Sequence, residues 1–402
     1  MKRFLTAKVI FPVDQPPISN GILVLDANGV IMDIIDPDLR SDDAAQLLNS
    51  SQLERFEGVL VPGFINAHCH LELSHLRGKI EEKSGLPVFL KNVSQLRATD
   101  DEEIREAMVA ADKEMYEEGI VGVGDISNRD VSIPIKKASR LRYHTFVEAF
   151  DLHPDYADAR FAEAERIQTS FAVEGLSASI VPHAPYTVSD KLLQLISVRN
   201  NNLLSIHHQE TSSEIEMFQS NSGSLLEFLK ATGKYDNWIS GGSSSLDFIF
   251  NNIQHHQRLL LVHNTYASRF DFDKAESVTS DLWWCLCPKA NLYIENRLPD
   301  VVEMTERSFK LVLGTDSLSS NNRLSILDEM KVLQTNFPSL TFNQLLQSAT
   351  LLPSRFFGWD KWLGSFSPGK QPGVNLLLSD VDLFGLLNEE KYLVNTKLER
   401  IA

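Results

Sequence analysis

Three histidines and one aspartate lie at the ends of strand-like apolar runs and could together hold a metal ion. They are His68, His70, His207 and Asp316. Alternate residues of a strand face the same side, so His68 and His70 point together while Cys69 points away. Three imidazole nitrogens and one carboxylate oxygen suit zinc, or iron, with a position left open for water. A metal held this way lowers the pKa of its bound water to about 7 and so supplies hydroxide at neutral pH.

Proton transfer would need a further group beside that water. Glu210 follows His207 by three residues, at a strand end where the chain can turn back and bring a carboxylate near the same water. The alternative is a carboxylate that is simply solvated in a loop. His208 points away from His207 in an extended strand and is expected to be structural.

The elements that would position these residues alternate between strand and helix. Apolar strand-like runs recur at 58–70, 119–127, 145–151, 177–183, 203–210, 259–266, 282–287 and 309–316. Helix-like stretches separate them, as in the acid-capped segment 99–119. Eight such alternations predict an α/β protein built on a (β/α)8 TIM barrel, whose active site lies where the strands end. His183 and His263 also fall at those ends.

The two ends of the chain have a different sequence pattern from the middle. Residues 1–56 and the tail 362–402 carry short β-like runs punctuated by Gly, Pro and Asp. We therefore predict one β-domain formed by 1–56 and 362–402, and a metal-dependent barrel over 57–361.

Composition limits the partners and the compartment. The net charge of −16 disfavours nucleic acid and anionic lipid as partners. We find neither a signal peptide nor an apolar run long enough to span a bilayer, and three cysteines give no disulfide framework. Cys285 and Cys287 are expected to be core thiols, although a metal pair is conceivable. These features predict a cytoplasmic protein without membrane attachment.

Six segments together resemble the amidohydrolase superfamily, in its mononuclear deaminase and chlorohydrolase branch. They are VPGFINAHCHLELSHLRG (61–78), PHAPYTVS (182–189), SIHHQE (205–210), LVHNTY (261–266), CPKANLYI (287–294) and LGTDSLSSNNRLSILDEM (313–330). The resemblance covers nearly the whole chain and is closest to the methylthioadenosine/S-adenosylhomocysteine deaminases. It implies that the β-domain from the two chain ends is a β-sandwich.

The resemblance also implies roles for individual residues. The metal ligands would be the four residues named first, Glu210 would shuttle protons, and Asp316 would help to orient the attacking water. His263 would hydrogen-bond that water, and His183 would contact the substrate near the leaving group. Two-metal branches use a modified lysine at the end of strand four, but residues 177–183 contain no lysine. One divalent metal ion, zinc or iron, is therefore expected.

Two residues depart from the adenosine-type pattern and bear on the substrate. Where methylthioadenosine deaminases carry a ribose-binding Glu, this chain has Arg97 in the neighbourhood. The pattern His70-Leu-Glu72 is closer to deaminases of aminodeoxyfutalosine, which joins a 6-aminopurine nucleoside to a benzoate. We therefore predict that Glu72 and Arg97 bind substrate, Arg97 through a distal carboxylate, which Arg matches bidentately. The alternative for Arg97 is an ordinary surface ion pair.

Three functions remain in view. The first is hydrolytic deamination of a purine-like ring or nucleoside, best represented by aminodeoxyfutalosine or an adenosine-type thioether. The second is hydrolysis of an amide, guanine or a chloro-triazine on the same fold. The third is a non-catalytic binding protein. The partner expected in the first two cases is a small-molecule substrate, and the sequence leaves a homodimer open.

Overall fold

The structure is a computed structural model. It describes residues 2–199, 203–235, 244–254, 257–278, 281–378 and 393–402. The strands within these residues are β1 Arg3–Ile10, β2 Ile18–Ser19, β3 Ile22–Leu25, β4 Ile31–Ile35, β5 Leu53–Pro62, β6 Phe64–Cys69, β7 Ile120–Ser127, β8 Arg142–Ala149, β9 Ser177–Pro182, β10 Leu203–His208, β11 Arg258–His263, β12 Asp281–Leu286, β13 Leu311–Leu313, β14 Val374–Leu378 and β15 Lys397–Arg400.

The α-helices alternate with the middle strands and follow them towards the C-terminus. They are α1 Ser41–Leu48, α2 Leu86–Leu96, α3 Asp101–Glu117, α4 Ile133–Ala138, α5 Ala157–Val173, α6 Asp190–Arg199, α7 Ser212–Ser220, α8 Ser224–Ala231, α9 Ser245–Asn252, α10 Arg269–Ser277, α11 Pro288–Glu295, α12 Val301–Glu306, α13 Ile326–Asn336, α14 Phe342–Ala349 and α15 Leu351–Phe356. Short 3-10 helices occupy Leu71–Leu76, Pro154–Tyr156 and Pro185–Thr187. Helix α3 matches the prediction from the segment 99–119.

The two ends of the chain share one sheet. Its strand order is β15-β14-β5-β1-β3-β4, with β2 paired to β1. Strand β14 runs antiparallel to β5, and β1 runs parallel to it. Leu5, Leu23, Leu60 and Leu376 are buried together on this sheet. The tail strand β14 pairs with residues 59–62 of β5, just past the predicted bound at 56. The pairings of the described residues form a single sheet and do not include the second layer of a sandwich, so the β-sandwich from 1–56 and 362–402 stays a prediction.

The remaining strands form two parallel four-stranded sheets in chain order. One sheet is β6-β7-β8-β9 and the other is β10-β11-β12-β13. Seven of the eight predicted runs correspond to one strand each. The run 58–70 is different, because Pro62-Gly63 divides it into β5 of the terminal sheet and β6 of the parallel sheet.

Backbone contacts join the edges of the two parallel sheets. At one side, the backbone N–H of His207 donates to the carbonyl of His183 at 2.9 Å. At the other side, Cys69 and Asp316 form a parallel bridge, and the N–H of Asp316 donates to the carbonyl of His68 at 3.1 Å. The carboxyl ends of β6, β9, β10 and β13 therefore lie beside one another.

By compactness the chain divides into two units. One consists of residues 1–66, 113–122 and 325–402, and the other of residues 67–112 and 123–324. All the candidate site residues belong to the second unit. The segment 211–257 adds α7, α8 and α9 to it, while residues 236–243, which include most of a Ser/Gly-rich stretch, lie outside the described residues.

The three cysteines are buried, and the helices can be checked for membrane-spanning length. Cys69, Cys285 and Cys287 are buried free thiols, in agreement with the interpretation of the last two as core residues. Within the described part of the chain, no helix combines the length and apolarity needed to cross a membrane.

Candidate active site

The ends of three strands bring the four predicted ligands together. The Nε2 of His70 lies 3.1 Å from the Nε2 of His68 and 3.2 Å from the Nε2 of His207. The Oδ1 of Asp316 lies 3.4 Å from the Nε2 of His70 and 3.7 Å from that of His68. Three side-chain nitrogens and one oxygen thus converge on one point, although they come from sequence positions up to 248 residues apart (316 − 68).

The protonation of these histidines suits a metal ion. The Nδ1 of His207 lies 2.7 Å from the carbonyl oxygen of His183 and must donate to it, which leaves the lone pair on Nε2. Burial lowers the pKa of His207 to about 3 and lowers the pKa values of His68 and His70 well below their usual range. Neutral imidazoles are the form that binds metal.

The spacing of the four ligand atoms also suits one metal ion. The Nε2 of His207 has no proton to give, and one cation can accept the lone pairs of all three close Nε2 atoms. Zinc–nitrogen bonds of about 2.0–2.1 Å place two ligand atoms a little over 3 Å apart in tetrahedral geometry. Asp316 is oriented for this role, because Ser320 donates a short hydrogen bond to its other oxygen, Oδ2. The residues present therefore fit one divalent metal ion.

Glu210 and His263 lie beside this cluster. The Oε1 of Glu210 is 3.7 Å from the Nε2 of His263, and both side chains are buried. The Nδ1 of His263 lies 2.8 Å from the Oδ1 of Asn291 and donates to it, so the Nε2 is the acceptor that faces the site. Burial, with the charges of Asp316 and Glu295, raises the pKa of Glu210 well above its usual range. A carboxyl group with such a raised proton affinity is suited to accept a proton and return it.

Backbone strain is concentrated around the same groups. Gln209, His263, Asn264 and Asp316 all adopt left-handed backbone conformations, with φ between 45° and 74°. Non-glycine residues in this region are held there by their surroundings and often occur at functional sites. Glu214 contributes to the restraint, because its Oε1 accepts a hydrogen bond of 3.0 Å from the backbone N–H of Gln209, which precedes Glu210.

His183 lies at the margin of the cluster, partly exposed. Its ring centroid is 4.7 Å from that of His207, and its Nδ1 is 3.0 Å from the Oγ1 of Thr187. Burial lowers the pKa of His183 to about 3, so its imidazole is neutral. It is thus placed to meet a bound molecule beside the ligand cluster.

The structure gives less direct support for Glu72 and Arg97 as substrate-binding residues. The two carboxylate oxygens of Glu72 accept hydrogen bonds from the backbone N–H groups of Asn128 and Arg129, at 3.2 and 3.1 Å. This arrangement anchors the loop after β7 and does not favour a contact of Glu72 with substrate. Arg97 is exposed and donates to the Oδ1 of Asn128 at 3.0 Å. Their binding roles stay predictions.

Sequence reasoning missed Glu148, which lies near the end of β8. Its side chain is 3% exposed, and its Oε1 is 3.8 Å from the Nδ1 of His207. Asn128 donates from Nδ2 to the Oε2 of Glu148 at 2.9 Å. A charged residue in the otherwise apolar stretch 146–150, one step from the strand's end, was the signal that could have identified it.

A second missed feature is a buried ion pair behind His70. The backbone N–H of Leu71, the next residue, donates to the Oδ1 of Asp125 at 2.7 Å. Lys136 contacts the other oxygen of Asp125, and its Nζ also donates to the Oγ1 of Thr145 at 2.9 Å. Asp125 stands in the apolar run 119–127, which could have marked it, whereas Lys136 lies on the short helix α4 and reads as a surface residue.

Parallel βα units that carry a histidine-rich metal site at the strand ends define a class of metal-dependent hydrolases. The pattern of the amidohydrolase family matches residues 59–391, and the chain belongs to this family. The family predicted from the sequence is confirmed, and with it a hydrolase that acts on carbon–nitrogen bonds.

Two curated relatives are similar over most of the chain. An adenosine deaminase of Helicobacter pylori is 28% identical over 292 residues, which are 70% of this chain and 70% of the relative. A 5-methylthioadenosine/S-adenosylhomocysteine deaminase of Bacillus cereus is 24% identical over 351 residues, which are 84% and 73% of the two chains.

Two solved structures share the fold. Helicobacter pylori aminofutalosine deaminase in complex with methylthio-coformycin has a TM-score of 0.80 and 21% identity, with 100% of each chain covered. An adenosine deaminase of Xanthomonas campestris with bound zinc has a TM-score of 0.71 and 20% identity, covering 98% of this chain and 90% of the other. At these identities the likeness establishes the fold alone.

Proposed function

We propose that this protein is a metal-dependent hydrolytic deaminase of a purine-like ring, in its best candidate form a 6-aminopurine nucleoside. The observation that carries the proposal is the convergence of His68, His70, His207 and Asp316 on one point, with Glu210 buried beside it. Both curated relatives are deaminases of adenosine-type compounds by name, and a protein of the same fold is an aminofutalosine deaminase.

The metal is one divalent ion per chain, with zinc first and iron second. A zinc-bound protein of the same fold supports zinc. Strand β9 and the residue after it, 177–183, contain no lysine that could bridge a second ion. When bound, the ion supplies an activated water.

The chain's own residues would divide the remaining work. Glu210 takes one proton from the attacking water and gives it to the ring nitrogen. It then carries the second proton, from the hydroxyl of the substrate adduct, to the amino group, which departs as ammonia. The Nδ1–H of His263 is donated to Asn291, so its Nε2 accepts a hydrogen bond from the water. His263 and Asp316 together orient this water. His183 contacts the substrate near the leaving group from its partly exposed edge.

The substrate candidates are aminodeoxyfutalosine and adenosine-type thioethers. Arg97 supports a substrate with a distal carboxylate, because it is an exposed cation close enough to His70 and His183 to lower their pKa values. Glu72 is retained as a weaker substrate-binding candidate, since both its oxygens are bonded to backbone groups.

The proposal also covers the barrel, the terminal domain and the cellular compartment. We infer that the two parallel sheets close into one (β/α)8 barrel over residues 57–361, which the edge contacts at His207 and Asp316 support. Residues 1–56 and 362–402 would complete a β-sandwich. The protein is expected to be cytoplasmic and to act on a small molecule without nucleic-acid or membrane partners, and a homodimer is left open.

An ammonia-release screen tests the proposed function. Metal-loaded protein is assayed for ammonia release from adenosine, methylthioadenosine, aminodeoxyfutalosine, guanine and a primary amide, and for chloride release from a chloro-triazine. Ammonia from the 6-aminopurine nucleosides is the expected result. Turnover only of guanine, an amide or the triazine would favour the second candidate, while tight binding of nucleoside without turnover would favour a binding protein.

A further inference from the structure

The carboxylate of Glu148 has one oxygen in use and one without a donor. Asn128 donates to Oε2, whereas Oε1 is buried and has no hydrogen-bond partner in the structure. The nearest candidate donor is the Nδ1 of His207, at 3.8 Å, but that N–H is already given to the carbonyl of His183 at 2.7 Å. A buried acceptor without a donor is costly, so this oxygen gains from a donor on a bound molecule.

The position of Glu148 indicates which part of a ligand it would meet. The Nε2 of His207 faces the metal ligands, and the Nδ1 lies on the opposite side of the same ring, towards Glu148. Glu148 therefore lies several ångströms from the point where the amino-bearing carbon must react. One side-chain nitrogen or oxygen of each of Glu148, His183 and His207 lies within 4.8 Å of the other two, and His183 is the partly exposed residue of the three.

Glu148 is also held in place from behind. The Nδ2 of Asn128 donates to Glu148, while the Oδ1 of Asn128 accepts from Arg97. The backbone N–H of Asn128 is in turn fixed by Glu72. This chain of contacts fixes the Asn128 amide orientation and leaves only Oε1 of Glu148 for a new partner.

We propose that Glu148 is a substrate-binding residue whose Oε1 accepts a hydrogen bond from the 2′- or 3′-hydroxyl of the substrate's sugar. The inference rests on the proposed nucleoside deamination and deepens it. In the candidate thioether and futalosine-type substrates the 5′ position is substituted, so the 2′- and 3′-hydroxyls are the sugar donors that they share with adenosine. A hydroxyl bonded to a buried carboxylate contributes more than one bonded to a neutral acceptor.

The experiment compares sugar hydroxyls with the Glu148 side chain. Adenosine, 2′-deoxyadenosine, 3′-deoxyadenosine and 2′,3′-dideoxyadenosine are assayed with the wild type, Glu148→Gln and Glu148→Met. The control variant is Asp112→Asn, which changes a carboxylate that accepts from Tyr143 near the other end of β8. Bound metal is measured for every variant, together with the Kd of inosine, which reports binding without turnover.

We expect the wild type to lose about 10- to 100-fold in kcat/KM from adenosine to the dideoxy compound, as fits one hydrogen bond to a charged group. Glu148→Gln and Glu148→Met should lose a similar factor on adenosine and little on the dideoxy compound, so that the preference collapses. Inosine should bind correspondingly more weakly. Metal content and the control variant should be unchanged.

Four results would overturn the assignment. Equal activity of the wild type on adenosine and on the dideoxy compound would refute the assignment without any variant. An equal loss on all four substrates, or a loss of metal, would make Glu148 a support of His207. A second ion per chain that disappears in Glu148→Gln would make it a cation ligand. A wild type that deaminates no 6-aminopurine nucleoside refutes the proposed function as well, and is thereby distinguished from the other three.

Discussion

The Nζ of Lys136 lies 2.6 Å from the Oδ2 of Asp125, and both side chains are completely buried. The pair lies behind the metal-binding segment, because the other oxygen of Asp125 accepts the backbone N–H of Leu71, directly after His70. Two aromatic rings, of Tyr143 and Phe171, also lie within 5.4 Å of the ammonium group. The pair links packing inside the parallel sheet to the position of a metal ligand.

Lys136→Met should therefore destabilise the protein and weaken metal binding. Removing one partner leaves a buried charge uncompensated, which typically costs about 3 to 5 kcal/mol. The double variant Asp125→Asn, Lys136→Met keeps an acceptor for Leu71 and removes both charges, so it should recover most of the stability. Urea unfolding and zinc titration measure the two effects. A single variant as stable as the double variant would contradict this account.

Metal content is the second prediction. Elemental analysis of protein purified without added metal should give about one ion per chain, because one set of four ligands converges. His68→Ala or His70→Ala should lose the ion and the activity. His144→Gln is the matched control, since that buried histidine bonds to Ser177 and Ser179 instead. Two ions per chain, or metal retained in His70→Ala, would refute the assignment.

Glu210→Gln should separate metal binding from proton transfer. The amide keeps the shape of the side chain but cannot carry the proton, so turnover should fall by about 10²- to 10⁴-fold. Metal content should stay at the wild-type value, because Glu210 is not among the four ligands. Ammonia release and elemental analysis check the two parts. Near-normal turnover would remove Glu210 from the proton-transfer role.

The convergence of His68, His70, His207 and Asp316 could be predicted from sequence because strand geometry constrains it, while their selection over His183 and His263 follows the family resemblance. Alternation places His68 and His70 on one side, and parallel strands in chain order bring their carboxyl ends to one face. Glu148 and Lys136 could not be placed in the same way, because their contacts depend on which side chains pack across β7, β8 and α4. The contacts of Glu72 could not be placed from sequence for a related reason: its backbone partners, at Asn128 and Arg129, follow a different strand.

Glu214 should make stability depend on pH in a definite direction. Burial raises its pKa to about 7 in the folded protein. Between the unfolded value, about 4.3, and 7, the folded state holds the proton that the unfolded state has released. The free energy of unfolding therefore falls as pH rises through this window, by at most about 1.4 kcal/mol per pH unit from this group.

Glu214→Gln should flatten that slope because an amide does not titrate. The measurement is urea unfolding of wild type and variant at several values between about pH 4.5 and 7, the window set by the two pKa values. Glu165→Gln, an exposed change on helix α5, should keep the wild-type slope. Parallel pH curves for wild type and Glu214→Gln would show that Glu214 is ionised throughout.

The last prediction concerns Arg97 and a carboxylated substrate. Arg97 is exposed and contacts Asn128 through one of its five N–H donors, which leaves enough of the fork for a bidentate carboxylate. Arg97→Ala should lower kcat/KM for aminodeoxyfutalosine by about 10- to 100-fold, as expected for one charge-assisted contact. Adenosine, which has no carboxylate, should be affected much less.

Ionic strength gives an independent test of the same contact. An exposed charge pair is screened by salt, so the wild-type KM for aminodeoxyfutalosine should rise with added salt while the KM of Arg97→Ala should not. Arg105→Ala, an exposed change that removes an ion pair with Glu102, serves as the control. An equal loss on both substrates would mean that Arg97 acts by holding Asn128 and Glu148, and no loss on either would leave it an ordinary surface residue.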